Sequence, residues 1–135
     1  MGKYLSTQED VFEIFNSQSW KSENIKTYPS NFVAINPGNE FVRVSIIPSG
    51  NSVNINSVSG VVILDIYTPA GNGPTRTSVI ADKLDQYLVG KSFLGENTRT
   101  QLMSSSFNLL GPDKDNPALY RSSYTIPFNH FGVSQ

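Results

Sequence analysis

Seven consecutive residues, Val61 to Tyr67 (VVILDIY), are apolar except at Asp65. A run this short and this rich in β-branched side chains reads as a strand. Its near-continuous hydrophobicity predicts a central strand covered on both faces. Whatever the chain folds into, other strands must flank this one and the core must be built around it. Asp65 is the exception within the run, because an unpaired buried charge is costly. Its expected ion-pair partner is Arg43 on a neighbouring strand, or an arginine from another subunit.

The surroundings agree with a sheet. In Glu40 to Ile47 (EFVRVSII), Val42, Val44 and Ile46 share one face, while Phe41, Arg43, Ser45 and Ile47 share the other. A shorter strand, NFVAINP, precedes it across the Pro37-Gly38 turn. The stretch NSVNINSVSG alternates Val53 and Ile55 with Asn and Ser, the pattern of a projecting or edge hairpin arm. Two long strands are expected near the C-terminus, about Arg99 to Leu110 and Leu119 to Phe128, joined by the turn residues GPDKDNP.

Helical spacing occurs twice. From Ser6 to Ser17, Val11, Phe12, Ile14 and Phe15 form an apolar stripe, and Ser6 with Glu9 predicts a capping box at the start. From about Pro74 to Val89, Ile80, Ala81, Leu84, Tyr87 and Leu88 line an inner face. Gly90 stands where a left-handed cap is wanted, and Lys91 lies beside the negative helix end. The order α-β-β-(β)-β-α-β-β predicts an α+β fold. It is a single antiparallel or mixed sheet with two main helices packed on it, one domain over residues 1–135.

The region after the central strand, TPAGNGPTR, is glycine-rich and opens a helix, which is the outline of a phosphate cradle. The details do not fit one. The GKS at Gly90 to Ser92 lacks the first glycine of a phosphate loop, where Asp85 stands, and it follows a helix end. A dinucleotide fingerprint would need glycine at Arg76. The loop glycines instead allow a tight turn from strand to helix. No cofactor and no metal is expected. Asp113 and Asp115 read as turn formers beside Lys114.

Enzymatic chemistry has few candidates. The chain lacks cysteine, and its sole histidine, His130, sits beside Phe128 and Phe131, as a packed residue would. The expectation is that the chain is not an enzyme. The net charge of −1 supplies no basic field for nucleic acid. No apolar run approaches the roughly 18 residues of a membrane span. The first residues, MGKYLSTQEDVF, lack a signal peptide's apolar core, so synthesis and retention in a cytoplasm are expected. Only 16% of the residues are charged, and the polar remainder is largely Ser, Asn, Thr and Gln, a surface suited to packing against neighbours.

Four pieces in order then resemble a known family. EFVRVSIIPSG is followed, after the polar arm, by GVVILDIYTPAGNG from Gly60 to Gly73. The amphipathic helix SVIADKLDQYL comes next, and YTIPF (Tyr124 to Phe128) lies near the end. This order, spanning about Phe41 to Phe131, resembles the small tail terminator proteins of long-tailed bacteriophages, related in fold to the lambda-type terminator. The resemblance implies a structural protein of the virion, assembled in the cytoplasm of a bacterial host. Such a subunit forms a homo-oligomeric ring, a hexamer in that family, on the end of the completed tail tube. The ring ends tube polymerisation and presents the attachment surface for head-completion (neck) proteins. It would meet no membrane, and nucleic acid only as DNA passing through its lumen. Contacts with neighbouring subunits or the tube are expected from the arm and the loop: Asn54, Asn56, Pro69, Gly71, Asn72, Gly73 and Arg76. The alternatives are another head–tail connector or tube component, or a small anion- or nucleotide-binding domain.

Overall fold

The computed structural model describes residues 3–23, 25–29, 40–49, 57–69, 73–94, 98–112 and 119–132. Two helices come first: α1 (Lys3–Phe15) and the single turn α2 (Gln18–Lys21). The strands β1 (Thr27–Pro29), β2 (Phe41–Ser49) and β3 (Val58–Pro69) follow, then α3 (Gly73–Leu88). The chain continues through β4 (Ser92–Leu94), β5 (Thr98–Leu102), β6 (Ser106–Pro112) and β7 (Leu119–Gly132).

The strands form one mixed sheet in the order β1-β2-β3-β7-β5-β4, with β6 also paired to β7. All pairings are antiparallel except that of β1 with β2. The expected central strand is β3, which pairs with β2 on one side and β7 on the other. Strand β7 is long enough to hold two partners along its far side: β5 against Phe128 to Gly132, and β6 against Tyr120 to Thr125. What the periodicity presents as one long strand is therefore broken at residues 103–105, where Met103 N–H donates to Pro127 O. A register shift at Leu109/Gly111, with Gly111 at φ +97°, bends β6 again. Both breaks fall where alternation lapses into an adjacent apolar pair, Leu102-Met103 and Leu109-Leu110.

One face of the sheet carries the core. Val42, Val44, Val62, Leu64, Ile66, Leu102, Tyr124, Ile126 and Phe128 project from it, each at most 1% exposed. Helix α3 packs on β3 and β7 through Ile80, Ala81, Leu84 and Leu88, and α1 packs on β7. Trp20, in the short α2, is buried and stacks edge-on between Phe15 and Tyr87, its Nε1–H donating to Thr27 Oγ1 at 3.0 Å. It is thus a core residue held by its own helical turn. The described helices number three, with α2 as the addition to the two expected.

The opposite face differs from the expectation of full cover. On β3, Val61, Ile63 and Asp65 are only half-buried. The helix starts differ as well. Because α1 begins at Lys3, Ser6 lies inside the helix and not at its N-cap position. The serine that caps is Ser17, whose hydroxyl accepts from Trp20 N–H at the start of α2. At the end of α3, Gly90 takes the expected left-handed conformation at φ +73°. The strand expected at NFVAINP and the arm with Val53 and Ile55 lie outside the described residues.

Gly60 is fixed by a close approach of backbones. A Cβ there would stand 2.2 Å from Ile47 O and 2.8 Å from Pro48 Cα, so no other residue fits without parting β2 from β3.

Candidate functional site

The sequence singles out the corner where β3 passes into α3. Pro69 closes β3 there and Gly73 opens α3, while Gly71 and Asn72 lie outside the described residues. Asn54 and Asn56 lie outside them too. Arg76, in the first turn of α3, grips Glu40 just before β2 through two bonds, Nε to Oε2 at 2.8 Å and Nη2 to Oε1 at 2.6 Å. This fork-to-carboxylate geometry joins the helix start to the β2 strand. Hydrogen bonding from Arg76 holds the Glu40 carboxyl below its ordinary range, and the same contact raises the Arg76 guanidinium. An anion drawn to this helix start would have to compete with Glu40.

Beside that corner, on the sheet face away from the main core, Phe41 and Tyr67 stack with centroids 4.6 Å apart. Tyr28 and Leu119 complete a small aromatic cluster with them. The next residues along the same face are charged. Asp65 accepts from Arg121 Nη2 at 3.2 Å, and this ion pair replaces the expected one with Arg43. Arg43 stands directly across from Asp65 on β2, whereas Arg121 reaches it diagonally from β7, where its direct partner is Tyr67. Both geometries lie within reach of an arginine side chain. Sequence spacing could not choose between them because the order β2-β3-β7 is a property of the fold.

Two polar chains tie helices to the sheet. Thr100 Oγ–H donates to Asp10 Oδ2 at 2.5 Å, and Thr100 Oγ1 lies 2.6 Å from His130 Nδ1. With its single hydroxyl hydrogen directed to Asp10, Thr100 accepts from Nδ1–H, which leaves Nε2 unprotonated in the neutral ring. The trio of hydroxyl, imidazole and carboxylate has the composition of a nucleophilic triad but not its order, since the carboxylate meets the hydroxyl and not the imidazole. Thr100 is wholly buried and His130 is 1% exposed, so no substrate reaches the hydroxyl. Burial lowers the His130 pKa, and the nearby Asp10 charge offsets part of that. The three residues clasp α1 to β5 and β7.

The second chain joins α3 to the kink between β5 and β6. Asp85 Oδ1 accepts from both Tyr124 O–H and Ser105 O–H, each at 2.6 Å. Burial, and then the bond to Asp85, push the Tyr124 hydroxyl well above its ordinary value. On the other side of α3, Lys83 pairs with Glu23, and Tyr87 O–H also reaches Glu23 Oε1 at 3.4 Å. Both sets hold the C-terminal half of α3 in place, and neither gathers groups around an open cavity.

Two further features have no signal in the sequence. A cleft of about 460 Å³ opens beside β1, lined by Phe15, Trp20, Ile25 and Thr27 with Asn16, Lys21 and Lys26 among its walls. At the far side of the sheet, Met103, Leu109 and Leu110 are each about half exposed, at 47%, 49% and 55%. Strand β6 also carries no charged residue.

No helix among the described residues is long and apolar enough to cross a membrane. No family model matches the chain, and neither does any curated protein. Among solved structures, one of a protein whose designation describes no activity is similar over 98% of this chain and 96% of its own, with a TM-score of 0.70 and 10% identity. At that identity the likeness establishes the fold and nothing finer.

Proposed function

We propose that this chain is a structural subunit of a bacteriophage tail, of terminator type, with no catalytic role. Copies of it form a ring that caps the tail tube, ends its polymerisation and offers the surface to which head-completion proteins attach. The observation that carries this reading is the placement of the two most specific motifs. Gly60 to Leu64, within the Gly60-to-Gly73 motif, and Tyr124 to Phe128 pair with each other at the centre of the sheet, with Gly60 opposite Phe128 and Leu64 opposite Tyr124. The pieces that carry the resemblance are neighbours in the fold: β2 and β7 on either side of β3, and the helix that follows β3. The two main helices, α1 and α3, lie on the core face of the sheet, which leaves the other face and the strand edges for assembly.

Within this reading the β3–α3 corner is the contact toward the tail tube. Arg76 serves it from inside, by fixing the helix start through Glu40. The test is to polymerise the tail tube protein encoded beside this gene, with and without the purified chain. Rings on tube ends in negative stain, and elongation halted at substoichiometric amounts, are the expected results. A chain that stays monomeric at high concentration and leaves tube growth unchanged would refute the reading.

A further inference from the structure

The two features without a sequence signal lie at opposite edges of one sheet, and they are complementary. Along β6 the run before the bulge, Ser106 to Leu109, has no partner strand on its outer side among the described residues, because β4 extends only beside β5. An open edge is normally guarded by charge, and this one has none. It shows instead the half-exposed Leu109, which projects on the same sheet face as Phe107. At the other edge, β1 pairs only with β2 among the described residues. Beside it, on the helix-bearing face, opens the cleft walled by Phe15, Trp20 and Ile25.

Strand directions decide how these edges can meet. β1 runs parallel to β2, β2 antiparallel to β3, β3 to β7 and β7 to β6, so β1 and β6 point in opposite directions. A second copy placed alongside in the same orientation brings its β1 against β6 as an antiparallel pair, the commoner kind. The overlap is short: Lys26 O accepts from Val42 N–H, so the main chains of Thr27 and Pro29 face outward, and because Pro29 has no N–H the pairing centres on Thr27 opposite Leu109. An exposed apolar group that fits a pocket elsewhere on the same molecule makes a head-to-tail contact, which closes into a ring when the rotation allows.

We propose that copies of this chain join by this contact: β6 of one pairs with β1 of the next, and Leu109 seats in the cleft formed by Phe15, Trp20 and Ile25. The proposal rests on the ring reading and names the joint within it. It continues the sheet from one subunit to the next and keeps the face bearing Arg43, Asp65 and Arg121 on one side of the assembly.

Full-length chain, alone and on tail tubes, provides the test. Leu109→Lys changes a half-exposed side chain, so the monomer should keep its melting temperature while the dissociation constant for self-association rises about tenfold or more, as for loss of a pocket-filling anchor. The chain has no cysteine, so Thr27→Cys with Leu109→Cys, opposite each other when β1 lies along the free run, should give a reducible ladder of linked multimers upon oxidation. Within one copy the two positions lie four strand spacings apart, roughly 19 Å, too far for a disulfide. Each single-cysteine variant should give no ladder. If the wild-type chain forms rings while the lysine variant assembles equally well and the double variant stays uncrosslinked, this contact is wrong and the ring reading survives. Dimers from Leu109→Cys alone would mean that β6 meets its own copy, which overturns the proposal. If the wild-type chain forms no ring even on tubes, the ring reading and this joint fail together.

Discussion

Gly60 shows how much a single position can demand. A methyl group there meets Ile47 O at 2.2 Å, a distance no side chain tolerates, and both strands are held by their other neighbours. Gly60→Ala should therefore lose about 1–3 kcal/mol, the range for overpacking a tight site, seen as a lower urea midpoint with an unchanged slope. The Glu40–Arg76 pair is a weaker contributor, because its side chains are 28% and 33% exposed and water screens them. Arg76→Ala should cost only about 0.5–1 kcal/mol at neutral pH. Its signature is in acid. The Glu40 carboxyl is depressed when folded, so its contribution is present above the ordinary value of 4.5 and lost as pH falls through the folded one. Stability curves of Arg76→Ala and wild type should converge at low pH. At this scale the sequence is readable where a residue type has one use: Gly90 is legible as a left-handed cap. Ion-pair partners are not, since Asp65 could choose between Arg43 and Arg121 only once the strand order existed.

Among elements, α3 is legible from end to end, because a regular apolar stripe, a proline and a terminal glycine all mark it. Helix α1 is legible in its stripe but not in its start, since serine near a helix origin is a cap only when the turn before it is open. Its attachment to the sheet is invisible in sequence, as Asp10, Thr100 and His130 are far apart in the chain and meet only through the fold. That clasp gives the clearest pH dependence of the molecule. His130 is kept neutral by burial, with its folded pKa below the ordinary 6.5. Above 6.5 neither state binds the proton. As pH falls below 6.5 the unfolded chain takes it up first, and stability declines until the folded pKa is passed. The melting temperature should begin to fall there, before the carboxylates titrate, and His130→Gln should abolish this first decline. Asp10→Ala leaves the buried Thr100 hydroxyl without its acceptor and should cost about 1–3 kcal/mol. Hydrogen exchange should then quicken in α1 while β3 and β7 remain protected.

For the whole molecule, low charge and fold topology bear on the same question. A ring held by charge complementarity would weaken steeply with ionic strength, because contacts at a solvent boundary are screened within about 8–10 Å in physiological salt. The edges proposed to meet here are uncharged on β6 and contain only Thr27, Tyr28 and Pro29 on β1. Lys21 and Lys26 are the charged groups of the cleft, and in the proposed contact they meet the neutral Ser106-to-Leu109 run of the next copy. Association by main-chain hydrogen bonds and a leucine in a pocket depends on desolvation and hardly on ion atmosphere. Self-association measured by sedimentation should therefore change less than about threefold between roughly 0.05 and 0.5 M sodium chloride, whereas each fully screened ion pair would add to a loss. Sodium sulfate, which strengthens apolar burial, should tighten it. A steep decline with chloride would instead place the subunit contact on the charged face around Arg43, Asp65 and Arg121. In that case the open edges of the sheet would need another occupant.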